Sequence, residues 1–170
     1  MLTEKALAFA TEAHGDQKRK YTGEPYINHP IAVAEIVKTV PEHNEHMIAA
    51  ALLHDTVEDT DVTQYDIVRE FGDIVGIFVA GLTDVSRPED GNRARRKALD
   101  REHSARGLPP VQTIKLADLI DNSRSITEYD PDFAVVYMKE KKLLLEVMTK
   151  GDIGLYERAW SIVNDYYDRC

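Results

Sequence analysis

The chain has 170 residues, of which 43% are hydrophobic and 30% are charged, and its formal net charge is −9. Such a composition is ordinary for a globular domain and argues against disorder. Because surfaces that bind nucleic acids are usually basic, the acidic balance predicts no nucleic-acid partner. It still allows a local cationic pocket that binds a small anion.

The chain carries one cysteine, Cys170, so no disulfide can form within it. This is typical of proteins in a reducing compartment. The longest apolar run, near 74–82, is much shorter than the roughly 20 residues that cross a bilayer. Residues 1–14 carry charges inside their apolar pattern, unlike a secretory signal. The sequence therefore predicts a cytoplasmic protein with no membrane partner, and it leaves the oligomeric state open.

Helical periodicity runs through the first half of the chain. Apolar residues recur at three- and four-residue steps, as on one face of an α-helix. A loop over 15–29 is cationic, which is unusual in an acidic protein. The expected helices are 3–14 with Thr3 as its N-cap, 30–40, a buried helix from residue 44 through the string MIAAALLHDTVED, 63–71, and 74–83.

The second half continues the helical pattern after a polar loop over 84–91. No stretch alternates with period two for long enough to form a sheet, and no internal repeat or linker is present. We therefore expect one all-α domain over 1–170, a compact bundle of about eight to ten helices. The expected helices of this half are 92–105, 111–126, 131–150 and 153–170.

The pair His54-Asp55, at the end of the buried helix, is the strongest sign of chemistry. Adjacent helical residues point about 100° apart, so both reach one ion only near a helix end or a bend. Imidazole together with carboxylate suits Mn, Fe, Zn or Ni rather than Ca. For an isolated pair, a core histidine beside a capping aspartate is the simpler interpretation.

Two more candidate ligands, His29 and Asp118, change that interpretation. His29 lies in a turn just before a helix, and Asp118 lies in the apolar string IKLADLI. A lone buried carboxylate there would be costly unless it were paired or bound to a metal. Singly, a loop histidine and an ion pair between Asp118 and Lys115 would explain them. Together they favour one divalent metal, with the ligands His29, His54, Asp55 and Asp118.

Glu58 and Asp59 form a second group of candidates. Glu58 lies four residues after His54, so a continued helix would place both on one face. A carboxylate beside metal-bound water can accept its proton as a general base. The alternative is a solvated acidic helix end, which is our preferred interpretation for Asp61.

Polar and cationic side chains form the remaining candidate groups. Asn122 and Ser125 share one helical face with Asp118 and can hydrogen-bond to a ligand. Arginine suits phosphate because its planar fork binds two oxygens at once. A charged surface helix is the alternative, preferred at least equally for Arg95 and Arg101. The candidate cations are Arg19, Lys20, Arg93, Arg96 and Lys97.

Four segments of the chain resemble a known family. They are Arg19-Lys20, GEPYINHP from Gly23, HDTVEDT from His54, and IKLAD from Ile114. These strings are similar to the hydrolase domain of the RelA/SpoT proteins, which are HD-domain phosphohydrolases, and the similarity covers about residues 2–129. Because the chain has no room for a synthetase domain, it resembles a stand-alone small alarmone hydrolase of the Mesh1 type.

The resemblance implies a 3′-pyrophosphohydrolase that converts (p)ppGpp into GDP or GTP and pyrophosphate, with one Mn²⁺ per chain. It implies that the Mn²⁺ ligands are His29, His54, Asp55 and Asp118. It also implies that the attacking water is activated and placed by Glu58 and Asp59. Contacts to the nucleotide substrate would come from Arg19 and Lys20, from Asn122 and Ser125 near the sugar and base, and from Arg93, Arg96 and Lys97 near the phosphates.

Two departures from the common family pattern lie beside the base and sugar positions. Tyr21-Thr22 lengthens the first loop, and Leu119-Ile120-Asp121 replaces a basic and aromatic string. Adenosine alarmones, (p)ppApp, therefore stay open as substrates beside (p)ppGpp. So does a phosphatase acting on another nucleotide such as NADPH. A catalytically silent nucleotide sensor is the alternative from another class, although it would be expected to lack a ligand or the Glu58-Asp59 pair.

Overall fold

The computed structural model describes all residues from Met1 to Cys170 and confirms the all-α expectation. The only β feature is an isolated antiparallel bridge between Lys18 and Pro25. None of the helices combines the length and the apolarity that a bilayer crossing requires. The helices are α1 (Leu2–His14), α2 (Asn28–Lys38), α3 (Glu45–Leu53), α4 (Thr56–Asp59), α5 (Gln64–Leu82), α6 (Arg93–Arg106), α7 (Pro109–Tyr129), α8 (Pro131–Leu145) and α9 (Ile153–Arg169), with a 3₁₀ turn at Pro88–Asp90.

The chain divides into two compact units, Met1–Thr83 and Asp84–Cys170. Helices α1 to α5 belong to the first unit, and α6 to α9 belong to the second. The expectation of a single domain over 1–170 stays a prediction.

Helix α3 is the centre of the first unit, where it packs against α1, α2 and α5. Its side chains from Ala49 to Ala51 are completely buried, and so is Leu53. The helix begins where Asn44 Oδ1 accepts a hydrogen bond from the Met47 backbone N–H, which satisfies one otherwise unpaired donor. It ends at Leu53, so His54 and Asp55 lie at the break before α4. The pair therefore occupies the helix end that its chemistry requires.

Several helix boundaries in the first unit differ from the sequence expectations. Helix α1 starts at Leu2 with Met1 as its N-cap, so Thr3 lies inside the helix. Helix α2 starts at Asn28, which places His29 in its first turn rather than before it. The expected break at Gly72 is real in the backbone, since its φ is 84° inside α5, although hydrogen bonding continues across this kink.

Helix α7 is the centre of the second unit and packs against α8 and α9. Its buried Gln112 and Thr113 accept hydrogen bonds from the backbone N–H groups of Lys150 and Asp152, at 2.8 and 2.9 Å. These contacts hold the turn before α9 against α7. Helix α8 ends at Leu145, earlier than the expected end at residue 150.

The polar loop after Thr83 is tied to α6 by the buried carboxylate of Asp100. This carboxylate accepts hydrogen bonds from the backbone N–H groups of Val85 and Ser86, at 3.0 and 2.9 Å, and from the Ser86 hydroxyl at 2.8 Å. The loop is therefore ordered by one side chain that reaches it from the helix.

Candidate metal and catalytic site

Three of the four expected metal ligands come together in the first unit. One ligand atom from each of His29, His54 and Asp55 lies within 4.8 Å of the others. Asp55 Oδ2 is 3.0 Å from His54 Nε2 and 3.6 Å from His29 Nε2. The histidines are 1% and 3% exposed, so they meet inside the core rather than at the surface.

Local contacts fix how these ligands point. His54 Nδ1 lies 2.7 Å from the Ala51 carbonyl oxygen, which can only accept, so we assign the imidazole hydrogen to Nδ1. The lone pair of Nε2 is then directed at the Asp55 carboxylate. Asp55 Oδ2 also accepts a hydrogen bond of 2.6 Å from the Tyr26 hydroxyl, which restricts the carboxylate orientation. Such outer contacts are typical of histidine and carboxylate metal ligands.

The side chains that meet here fit a divalent metal ion. An imidazole lone pair and a carboxylate oxygen 3.0 Å apart are both acceptors, so a cation or a proton between them is needed to make the contact favourable. Neighbouring ligand atoms bound to one ion at about 2.0–2.2 Å lie roughly 3–3.6 Å apart. The separations of Asp55 Oδ2 from the two histidine nitrogens, 3.0 and 3.6 Å, match this spacing. Two imidazole nitrogens with one carboxylate oxygen suit a first-row transition metal.

Asp118, the fourth expected ligand, lies half-buried on α7 in the second unit. Its Oδ1 accepts a hydrogen bond of 2.8 Å from Asn122 Nδ2, and the Ser125 hydroxyl contacts the Asn122 carbonyl at 3.2 Å. The three side chains therefore share one helix face, as their spacing predicts. Lys115, considered above as a partner of Asp118, lies 3.7 Å from Asp84. The role of Asp118 as a metal ligand stays a prediction.

Glu58 and Asp59 lie on α4, and both residues are exposed. Although Asp59 is exposed as a residue, partial burial of its carboxyl raises its pKa above the usual value, and the neighbouring charge of Asp55 raises it further. Hydrogen bonds from Gln17 and Tyr26 offset part of this rise. The carboxyl of Asp59 therefore holds a proton more readily than an ordinary aspartate does.

The first cationic loop is closed by backbone hydrogen bonds. Arg19 N–H donates to the Glu24 carbonyl at 2.8 Å, and Gly23 N–H donates to the Arg19 carbonyl at 3.1 Å. Gly23 has a φ of 70°, a left-handed conformation that favours glycine at this turn. Lys20 extends over the Tyr21 ring, with its Nζ 4.9 Å from the ring centroid. The loop thus presents Arg19 and Lys20 from a defined turn.

The basic residues of α6 already have acidic neighbours. Arg93 donates to both carboxylate oxygens of Glu140, at 2.7 and 2.9 Å, and Lys97 Nζ lies 3.3 Å from Asp84. Burial alone would raise the pKa of Asp84, but Lys115 and Lys97 outweigh it and hold that pKa below its usual value. Arg96 differs, because its Nε is buried without a hydrogen-bond partner.

Several site residues carry too weak a sequence signal to be found beforehand. Tyr26, Gln17 and His14 interact with Asp59, and no spacing rule predicts these interactions. Lys141, on α8, is another residue that the sequence does not single out, and burial and the like charges of Lys115 and Lys97 lower its pKa to about 8. The string EKKLLL, which contains Lys141, is typical of an ordinary helix surface. A cluster of lysines from three helices is visible only in the folded chain.

Comparison with known proteins settles the family. The HD domain family profile matches residues 6–143. The chain belongs to this family. The HD domain implies a divalent metal, which agrees with the donor set at His29, His54 and Asp55.

The relatives include hydrolases of guanosine tetraphosphate. The chain is 36% identical over 170 residues, 97% of its length, to a guanosine-3′,5′-bis(diphosphate) 3′-pyrophosphohydrolase of Aquifex aeolicus, but it spans only 23% of that protein. It is 40% identical over 130 residues to the Danio rerio protein guanosine-3′,5′-bis(diphosphate) 3′-pyrophosphohydrolase MESH1, covering 75% of this chain and 71% of that protein.

A solved structure shows the same fold. It is described as a metazoan ortholog of SpoT that hydrolyses ppGpp. The TM-score is 0.86 at 29% identity, with 97% of this chain and 95% of that chain covered. This likeness confirms the expected all-helical HD-domain fold over nearly the whole chain.

Proposed function

We propose that this HD-domain protein is a manganese-dependent 3′-pyrophosphohydrolase that removes pyrophosphate from (p)ppGpp and leaves GDP or GTP. The observation that carries the proposal is the buried cluster of His29, His54 and Asp55, with Glu58 and Asp59 on the next helical turn. The names of the relatives support the substrate class. The length of the MESH1 relative supports activity without a synthetase domain.

His29, His54, Asp55 and Asp118 are the residues that would hold one Mn²⁺ per chain. When bound, the divalent ion would supply Lewis acidity, which lowers the pKa of water and polarises a phosphoryl oxygen. The two histidines are buried, and the contact of His54 Nδ1 with the Ala51 carbonyl fixes the direction of its ring. The Tyr26 hydroxyl restricts the Asp55 carboxylate in the same way.

Hydrolysis needs a base for the attacking water and a donor for the leaving oxygen. The water oxygen forms a bond to the phosphorus attached to O3′, the P–O3′ bond breaks, and O3′ takes up a proton. Glu58 is exposed next to the cluster and is the proposed acceptor of the water proton. Asp59 is held beside it by Gln17 and Tyr26, and it would place the water.

Cationic and polar side chains would bind the nucleotide. Charge on the phosphates needs compensation as the P–O3′ bond breaks. Arg96 supports this role because its buried Nε has no partner within the protein. Arg93 and Lys97 now pair with Glu140 and Asp84. To bind a phosphate, each cation would have to leave its carboxylate partner or contact both anions at once. Further contacts are proposed for Arg19, Lys20, Asn122 and Ser125.

A parallel substrate assay tests the proposal. Purified protein with Mn²⁺ is incubated with ppGpp, pppApp and NADPH, beside the variants His54→Ala and His43→Gln. His43 is an exposed histidine of the same unit, with its Nδ1 2.6 Å from the Val40 carbonyl, and so provides a matched control. We expect equimolar GDP and pyrophosphate from ppGpp with wild type and His43→Gln, and none with His54→Ala.

The rates with pppApp and NADPH show which nucleotide the protein prefers. Turnover of pppApp at a similar rate would mean that the base pocket does not select guanine. Turnover of NADPH alone, with release of inorganic phosphate, would contradict the proposed substrate class.

A further inference from the structure

A buried histidine outside the metal cluster, His14, ends helix α1 and is 5% exposed. Its Nδ1 lies 2.9 Å from Gln17 Oε1. Its Nε2 is buried and has no hydrogen-bond partner. The ring also packs against Tyr26, with centroids 4.8 Å apart. One ring nitrogen of His14 thus contacts Gln17, and the other has no hydrogen-bond partner.

Leaving that nitrogen unsatisfied costs free energy. A buried polar atom without a partner loses its hydrogen bonds to water and gains none in the folded protein. An apolar side chain of similar size would fill the space between α1 and its neighbours α3 and α4 without that cost. The contact made by Nδ1 is therefore the feature of His14 that packing alone does not explain.

Gln17, the partner of His14 Nδ1, also interacts with Asp59. The Gln17 side chain hydrogen-bonds to the Asp59 carboxyl. A carboxylate accepts hydrogen bonds, so the amide NH₂ of Gln17 must face Asp59 and its Oε1 must face His14. That orientation requires a hydrogen on His14 Nδ1, which leaves Nε2 as the bare nitrogen. Both observed features of the imidazole follow from this one arrangement.

An amide can rotate and exchange its two ends. If it did so, the Gln17 oxygen would face the carboxylate and repel it. The Nδ1–H of His14 can donate only to the amide oxygen of Gln17. It therefore stabilises the orientation in which the NH₂ group faces Asp59. His14 would orient Gln17 in the same way that hydrogen bonds from surrounding residues orient the ligands of a metal ion.

We propose that His14 is a positioning residue for Asp59, which acts by holding the Gln17 amide with its NH₂ towards that carboxylate. The proposal rests on the role of Asp59 in the proposed function. Since Gln17 contacts the Nδ1 atom of His14, positioning through Gln17 requires a polar atom at the Nδ1 position rather than at Nε2.

Two substitutions of His14 distinguish a polar atom at the Nδ1 position from one at the Nε2 position. Asparagine places its amide near the Nδ1 position of a histidine, whereas glutamine places it near Nε2. We therefore expect His14→Asn to recover most of the wild-type kcat for ppGpp. We expect His14→Gln and Gln17→Leu to lower kcat roughly tenfold or more, as for other lost outer contacts. KM and Mn²⁺ content should change little, and His43→Gln should match wild type.

Equal losses in His14→Asn and His14→Gln would overturn the proposal, and so would wild-type kcat in His14→Gln. If a His14 variant does not fold, Gln17→Leu tests the same contact from a half-buried position. Wild-type kcat in Gln17→Leu would equally overturn it.

A second readout does not depend on turnover. The pKa of Asp59 can be followed by ¹³C NMR in the metal-free protein. The Gln17 hydrogen bond favours the charged carboxylate, so its loss should raise this pKa further in Gln17→Leu. Both His14 variants also lose the direct charge interaction of His14 with Asp59, so the pKa should rise more in His14→Gln than in His14→Asn. An unchanged pKa in all three variants would overturn the proposal. Absence of ppGpp hydrolysis by wild type would instead contradict the proposed function and leave this titration interpretable.

Discussion

In residues 1–83 the candidate metal ligands lie inside packed helices, whereas in residues 84–170 the candidate substrate-binding cations lie at helix surfaces. His29 and His54 are almost fully buried, and the Asp55 carboxylate is held by Tyr26. Arg93 is 46% exposed and pairs with Glu140 across two helices. The candidate metal ligands are thus held by core packing, whereas Arg93 and Lys97 are held by ion pairs.

The difference indicates which parts of the chemistry are preorganised. Moving His54 would disturb the completely buried core around α3, so its geometry is costly to change. Exposed ion pairs contribute only about 0–1 kcal/mol, so a phosphate can replace a carboxylate partner at modest cost. We expect variants of the metal ligands and of Glu58 to lose chemistry, and variants of the basic residues of α6 to change binding.

Asp118→Ala should have the largest effect, because it tests whether the second unit supplies a metal ligand. Loss of an outer contact weakens metal binding about 10- to 100-fold, and loss of a ligand should exceed about 100-fold. Asn122→Ala removes only the 2.8 Å hydrogen bond to Asp118, so it should fall within the lower range. Calorimetric titration with Mn²⁺ measures both. Wild-type affinity in Asp118→Ala would remove Asp118 from the metal site.

Glu58→Gln should follow, because it removes the proposed base and keeps the shape of the side chain. Turnover of ppGpp should fall roughly 100-fold or more, the usual consequence of a lost general base. Mn²⁺ content should stay near one per chain, as measured by elemental analysis. Asp61→Asn is the matched control on the same acidic segment and should keep wild-type turnover. Full activity in Glu58→Gln would rule out the assigned role.

Lys141→Met should stabilise the protein at neutral pH. Burial and the charges of Lys115 and Lys97 lower the pKa of Lys141 from 10.5 to about 8, so the folded chain binds fewer protons than the unfolded chain between these values. Stability therefore rises with pH across this window, and the penalty is fully present below it. The gain should be on the order of 1–3 kcal/mol at pH 7.

Chemical denaturation at several pH values measures this effect. The difference between Lys141→Met and wild type should shrink between pH 8 and 10.5. Lys142→Met, an exposed neighbour on the same helix, should stay within about 0.5 kcal/mol of wild type. A constant difference at all pH values would show that packing rather than charge is responsible.

The ion pair between Arg93 and Glu140 should give the smallest effect. Arg93 is largely exposed while Glu140 is 16% exposed, so a double-mutant cycle with alanine should give a coupling of about 0.5–1 kcal/mol. Added salt should reduce it, because an exposed pair is screened. A coupling of several kcal/mol, independent of salt, would contradict the contrast between the two units.

Sequence reasoning recovered the helical fold and placed His54-Asp55 at a helix end, because both depend on local patterns. The apolar string before His54 and the kink at Gly72 are visible in the residue order. Helix ends were less accurate. The second helix starts at Asn28 and includes His29, although Pro30 suggested a later start.

Contacts between distant segments were beyond prediction. Tyr26 donates to Asp55 across 29 positions of the chain, and no propensity or spacing rule specifies such a pair. The His14 and Gln17 contact with Asp59 depends on α1 packing against α4. The ion pair of Arg93 with Glu140 similarly joins residues 47 positions apart. Tertiary packing decides these contacts, so they follow from the fold rather than from the local sequence.

Metal withdrawal and return tests the central claim most directly. The wild-type protein is treated with a chelator, dialysed, and assayed with ppGpp before and after addition of Mn²⁺, with pyrophosphate and GDP quantified together. We predict no turnover without metal, full turnover at one Mn²⁺ per chain, and equimolar products. Unchanged turnover in the metal-free protein, or release of inorganic phosphate in place of pyrophosphate, would contradict the account.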